Sequence, residues 1–131
     1  MIRSYGGGAL YRPLVVPDPK HCASCGRSFQ WRRSMRTTWD EVRYCSAACR
    51  RRKVRHIDRD LERTILTLLD AAGEIDATDA ARHVGGDDWR DLAEAARRAA
   101  RRLWVRNEVA LIQDGRPVDP DVKGPLRVRR T

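Results

Sequence analysis

Residues 22–49 read CASCGRSFQWRRSMRTTWDEVRYCSAAC, and the four cysteines in this stretch decide how the first part of the chain folds. The spacing is Cys22-x2-Cys25, then 19 residues, then Cys45-x3-Cys49. Two close pairs at that separation fit four thiolates around a single Zn2+ ion. Gly26 permits the tight turn of a knuckle after the first pair. Phe29-Gln30-Trp31 and Val42-Arg43-Tyr44 read as two short strands that bring the pairs together. Cys45-Ser46-Ala47-Ala48-Cys49 reads as the opening of a helix, with both sulfurs on one face. The helix N-terminus favours thiolates through its dipole and free N–H groups. Four thiolates close the tetrahedron, so the ion is expected to be structural. Spacing alone leaves two disulfides, an iron–sulfur cluster or free buried thiols open. His21 and His56 flank the module as competing ligands, but four cysteines suffice and each reads as a surface histidine.

Around this stretch the composition is uneven. The chain has 131 residues and a formal net charge of +9. Residues 1–57 hold 13 Lys+Arg against 3 Asp+Glu, a net of +10, and residues 58–131 hold 14 against 15, a net of −1. Leu, Ile, Val and Phe number 9 in the first part and 17 in the second. A basic, core-poor segment needs a metal or cross-links to hold a shape. The length excludes a large barrel or a dinucleotide-binding enzyme, and no stretch approaches the ~18 apolar residues of a membrane span. Met1–Lys20 has no apolar run of secretory-leader length, which points to the cytoplasm, where thiols stay reduced. Gly6-Gly7-Gly8 with Pro13, Pro17 and Pro19 mark a tail. The expected division is a flexible tail over 1–19, a zinc module with a basic helix over 20–57, and a second domain over 58–131.

Charged residues interleave with aromatic ones in the zinc module. Arg27, Arg32, Arg33, Arg36 and Arg43 alternate with Phe29, Trp31, Trp39 and Tyr44. That pattern suits a nucleic-acid backbone, while the rings also suit the small core such a module needs beside its metal. Arg50, Arg51, Arg52 and Lys53, followed by Arg55, are expected to extend the ligand helix and line it with phosphate contacts, or to form a solvated linker.

In the second part, Leu61, Ile65, Leu68, Leu69 and Ala72 lie on one helical face, capped by Asp58 or Asp60 and ended by Gly73. Asp76 caps a short helix with Ala77, Ala80, Ala81 and Val84 inward, and Gly85-Gly86-Asp87 turns the chain. Asp88 caps a longer helix, about 89–106, with Leu92, Ala96, Ala99 and Leu103 inward. Val109–Gln113 and Leu126–Val128 read as strands, with a turn at Asp114-Gly115 and a proline-bearing loop between. Three helices followed by a hairpin is the order of a winged helix. With Ala96 on the core, Arg90, Arg97, Arg98, Arg101 and Arg102 fall opposite it, at about 100–240° by the ~100° per residue of a helix. Arg97 and Arg101 are the candidate nucleic-acid contacts there. Asp87, Asp88, Asp91 and Glu94 at the same helix's start repel phosphate and favour ordinary Glu94–Arg97 and Glu94–Arg98 pairs instead.

Residues 22–33, Trp39 and residues 42–51 resemble a small bacterial four-cysteine zinc-motif family of unassigned function. The Tyr44-Cys45-Ser46-x-x-Cys49 end is similar to treble-clef zinc modules, which bind proteins or nucleic acids. Residues 65–72, Trp89-Arg90-Asp91-Leu92, Gly115-Arg116-Pro117-Val118-Asp119-Pro120 and Lys123-Gly124-Pro125 resemble an uncharacterised winged-helix-like family. These resemblances imply an α+β chain, a treble-clef-like zinc module followed by a winged helix, and imply no activity. No phosphate-binding loop, nucleophile motif or carboxylate pair beside a histidine is present, so an enzyme is not expected. The expected function is a non-enzymatic accessory or regulatory protein that binds DNA or RNA, with a protein–protein adaptor as the alternative and no membrane partner.

Overall fold

The computed structural model describes residues 15–131. Of the tail expected over 1–19, residues 1–14 lie outside the described residues, and 15–19 are exposed with no regular element. The first unit among the described residues is a minimal hairpin. Strand β1 (Lys20–His21) pairs antiparallel with β2 (Ser28–Phe29), Lys20 opposite Phe29. Two single turns of 3-10 helix follow, Arg33–Met35 and Trp39–Glu41, then helix α1 (Ala47–Arg52).

The second unit opens with α2 (His56–Ala72) and continues through β3 (Glu74–Asp76), α3 (Ala77–Gly85), a 3-10 segment (Gly86–Leu92) and α4 (Ala93–Val105). It ends in β4 (Val109–Gln113), β5 (Arg116–Val118) and β6 (Arg127–Arg130). The four strands form one antiparallel sheet in the order β3-β6-β4-β5.

Local chemistry accounts for these boundaries. The Asp58 carboxylate accepts from the Arg55 N–H at 2.8 Å, so α2 starts at His56, two residues before the expected cap position. At α3, Asp76 Oδ1 accepts from the Thr78 N–H while Asp79 Oδ2 accepts from the Asp76 N–H, a reciprocal cap. Asp114 and Gly115 both have positive φ, 53° and 76°, the pattern of a two-residue turn that matches the twist of a hairpin. That turn joins β4 to β5, a strand not expected from the sequence because it contains Pro117. An edge strand tolerates a residue that cannot donate to the ladder. The pairing expected between residues 109–113 and the returning chain is present, on the other edge of β4.

Among the described residues two apolar clusters result. The larger holds Leu61, Ile65 and Leu69 of α2, the α3 and α4 alanines and Leu103. The sheet meets them through Ile75, Val128 and Leu111, which lie opposite one another across three strands. Alanine on two helices permits close helix approach. Ala72 is exposed, because Gly73 ends the helix before that face reaches the core. The smaller cluster holds Cys22, Cys25, Cys49, Phe29 and Trp39, flanked by Trp31, Met35, Val42 and Tyr44. Among the described residues no helix is long and apolar enough to cross a membrane.

Candidate metal centre and charged surface

The four sulfurs converge. Cys22, Cys25, Cys45 and Cys49 Sγ atoms all lie within 4.8 Å of one another. Cys25–Cys45 and Cys45–Cys49 Sγ distances are both 3.7 Å. A disulfide needs ~2.05 Å, and all four cysteines are free. Tetrahedral thiolates at ~2.3 Å from a central ion sit about 3.8 Å apart, so these sulfurs fit one metal ion. Neither His21 nor His56 joins the cluster. Instead His21 Nδ1 lies 3.0 Å from the Gly26 carbonyl oxygen, and its ring meets Trp104 edge-on at 5.5 Å.

The scaffold that brings the pairs together differs from the expected one. The knuckle is closed by Gly26 N–H donating to the Cys22 carbonyl and Cys22 N–H donating to the Arg27 carbonyl. Residues 42–44 form no strand. The second loop is held by Ala23 N–H donating to the Arg43 carbonyl at 2.8 Å, and by the Lys20 ammonium on the Trp39 and Val42 carbonyls. Lys20 also lies over the Trp39 ring at 4.5 Å. Cys45 precedes the helix rather than opening it. Ser46 is the cap, its Oγ accepting from the Cys49 N–H at 3.1 Å. A serine cap next to a metal-spaced cysteine was the signal for this, since the cap residue itself stands outside the helix.

Hydrogen bonds and burial act differently on the individual cysteines. The Cys25 N–H points at Cys22 Sγ at 3.5 Å, and Arg52 Nη1 donates to Cys49 Sγ at 3.3 Å. The Cys25 thiol's hydrogen bond, reinforced by backbone N–H groups, draws Cys22 down to about 4 against the effect of burial. Cys25, the donor in that bond, is pushed up, and burial pushes Cys45 up. The four sites therefore do not ionise alike unaided, and a shared cation is what would make all four thiolate.

Most basic residues of the cysteine module lack an acidic partner, and most arginines of the second unit have one, although Arg82, Arg90 and Arg116 there are also exposed and unpaired among the described residues. Arg32, Arg33, Arg36, Arg50, Arg51 and Lys53 are exposed. Among the described residues none of them has a carboxylate within 4 Å, whereas Arg59, Arg63, Arg97, Arg101, Arg102, Arg106, Arg127, Arg129 and Arg130 all do. Arg52 is half-buried against Cys49 and is a poor candidate for an outside contact. The basic helix does not run on past it. Lys53 adopts φ 55° and breaks the chain between α1 and α2.

The outward arc expected on α4 needs correction. Arg101 is 1% exposed and Arg102 5% exposed. The cysteine module covers that face. Arg102 donates to Glu62 Oε2 at 2.6 Å, to the Ser24 carbonyl at 2.7 Å and to the Asp58 carbonyl at 3.2 Å. Arg101 Nη2 reaches Glu94 at 2.8 Å, and Arg97 pairs with the same carboxylate. Gly26, at φ +80°, lies so close that a Cβ there would stand 2.5 Å from the Arg101 Cβ. Beside this contact, Arg27 donates to the Pro120 and Val122 carbonyls, and Asp121 accepts from the Ser28 N–H and hydroxyl. The two clusters are separate, yet the units share a buried polar seam. Helical geometry identified the side opposite the core, but not that another part of the chain occupies it.

Two family models match different parts of the chain. Residues 58–131 match the family described as a protein of unknown function (DUF3253). Residues 16–52 match one described as an uncharacterized protein conserved in bacteria (DUF2256). No curated protein matches the chain at a significant level.

Proposed function

The chain belongs to the family described as a protein of unknown function (DUF3253), carrying ahead of that region a segment similar to DUF2256, and from this premise we propose that it is a non-enzymatic, zinc-containing nucleic-acid-binding accessory or regulatory protein. The observation that carries the reading is the unpaired positive charge of the cysteine module. Arg32, Arg33, Arg36, Arg50, Arg51 and Lys53 are exposed without carboxylate partners among the described residues, while most arginines of the second unit are internally paired. Exposed unpaired arginines keep their charge available for phosphate and release counterions on binding.

Zinc is the proposed ion. Four soft thiolates at tetrahedral spacing suit it, and disulfide-free cysteines suit the reducing cytoplasm. Four protein ligands leave no open position for substrate or water, so its role is to hold the module. A knuckle on a hairpin followed by a ligand at a helix start supports a treble-clef-like reading. The order α2-β3-α3-α4-β4-β5-β6 supports a winged helix. Its third helix is not the groove reader here, because the cysteine module already lies on that face. The winged helix instead braces the basic module.

Fluorescence anisotropy of zinc-loaded protein against random duplex and single-stranded oligonucleotides, at low and physiological salt, tests the proposal. The expected result is binding whose logarithm falls linearly with the logarithm of salt concentration. Absence of binding at low salt overturns it. The adaptor reading draws on the exposed carboxylates Asp87, Asp88 and Asp91, which have no ion-pair partner among the described residues. A basic protein partner would meet them.

A further inference from the structure

We propose that a cleft beside the metal centre is a stacking site for an unpaired nucleobase, so that the preferred ligand is single-stranded. This deepens the nucleic-acid reading and rests on it. The cleft measures about 300 Å3 and is lined by Thr38, Glu41, Val42, Arg43, Tyr44 and Arg50. That is the low end of the ~300–1,000 Å3 range for small-ligand clefts, a scale for one flat group rather than a large molecule.

Its lining combines what a nucleotide needs. Tyr44 is half-buried, packed against the Phe29–Trp39 cluster while also lining the cleft. A ring held in this way meets a base at small entropic cost, because packing already fixes its rotamer. Arg43 and Arg50 are exposed and have no carboxylate partner among the described residues, leaving both guanidiniums for phosphate. Glu41 is an exposed carboxylate in the same lining. An acceptor-only group repels phosphate but takes a hydrogen bond from a base amino group. A duplex does not offer a stacking face, since its bases are stacked on one another, whereas every base of a single strand does.

The lining is rigid for identifiable reasons. The Arg43 carbonyl accepts from the Ala23 N–H, and the Val42 carbonyl accepts from Lys20, which pins residues 42–43 to the first knuckle. Cys45 follows Tyr44 directly, so a metal-bound thiolate fixes the backbone on the other side. Arg50 follows Cys49 on α1. Both arginines thus stand one or two residues from a ligand cysteine, and metal binding sets their separation.

The test uses full-length zinc-loaded protein and three fluorescent probes of equal length: a single strand, a blunt duplex, and a single strand made entirely of abasic residues. Each carries the phosphates, and only the first offers stackable bases throughout. The expected result is that the base-bearing strand binds at least about fivefold more tightly than the abasic one. Tyr44→Ala should remove that difference and Tyr44→Phe should keep it, with metal content and circular dichroism confirming that each variant folds. Because the abasic comparison uses the unmodified protein, it stands even where Tyr44→Ala fails to fold. Equal binding of abasic and base-bearing strands would overturn the stacking site and leave the phosphate-binding reading in place. No salt-sensitive binding to any probe would overturn both.

Discussion

Replacing Gly26 with alanine should drive the cysteine module off α4, and the size of the effect follows from the contact. Gly26 has φ +80°, and an added Cβ would lie 2.5 Å from Arg101 Cβ, 2.8 Å from the Arg101 carbonyl carbon and 3.0 Å from the Arg102 nitrogen. Carbon atoms in contact rest at about 3.5–4.0 Å, so a separation of about 1 Å must open. No side-chain rotation relieves it, because the opposing atoms are helix backbone and its first side-chain carbon. A shift of that size takes the 2.7 Å bond from Arg102 to the Ser24 carbonyl beyond bonding range. Left-handed backbone costs alanine about 1–2 kcal/mol, and overpacking adds about 1–3 kcal/mol. Gly73→Ala is the control. Its φ is +81°, but nothing lies within 4 Å, so it should lose only the backbone part. At about 4 °C per kcal/mol for a chain of this size, Gly26→Ala should melt roughly 4–12 °C below Gly73→Ala. Thermal melts by circular dichroism, with both variants zinc-loaded, measure that gap. Equal Tm values would refute the packing of the first knuckle on α4.

Four further outcomes are expected. Arg102→Met should cost about 3 kcal/mol in urea unfolding, because it leaves buried Glu62 with only Arg106 and Arg59 at its edge and strips the Ser24 and Asp58 carbonyls of a donor. An unfolding free energy within about 0.5 kcal/mol of wild type would count against the seam. Chelation or Cys45→Ser should abolish the first module's structure yet retain most helical signal, since α1 has six residues and α2 alone has 17. Complete loss of ellipticity at 222 nm would show that the two clusters fold as one. Burial works to raise the Glu62 carboxyl, but hydrogen bonds and charge from Arg102 and Arg106 outweigh it and hold the group below its ordinary range. Its contribution is therefore present above the unfolded value of about 4.3 and lost as pH falls through the folded one, so the stability gap between wild type and Glu62→Gln should narrow as pH falls below about 4.3. A gap constant from neutral to acid pH would remove that ion pair from the account. Arg50→Ala with Arg51→Ala should weaken nucleic-acid binding and lower the salt slope by up to about 2, one per lost phosphate contact, read by anisotropy across a salt series. An unchanged slope would take α1 out of the interface.

The four-cysteine cluster was legible in the sequence because ligand spacing is local. Cys22-x2-Cys25 and Cys45-x3-Cys49 each bring two sulfurs together through one turn of chain, and four thiols near one point need little else to be recognised. The three-helix order was legible for a similar reason. Leu61, Ile65 and Leu69 recur at helical spacing, and Asp76 and Gly73 mark ends through their own backbone chemistry. Strand β5 was hidden by Pro117, and the start of α4 by an acidic stretch that forms 3-10 rather than α-helix.

What the sequence determined by itself is therefore a set of local facts: a four-cysteine cluster, helix faces, turns, and an excess of positive charge in the first 57 residues. Only the tertiary structure decided which charges are available. Arg101 and Arg102 share a helical arc that points away from the core, and the helix alone leaves that arc free. It is occupied because Gly26, some 75 residues earlier in the chain, gives the backbone room to lie against α4. Residues so far apart meet only when both units have formed. Helical periodicity describes one segment's own faces and carries no information about what another segment covers, so the division between sealed and exposed arginines appears only in the folded chain.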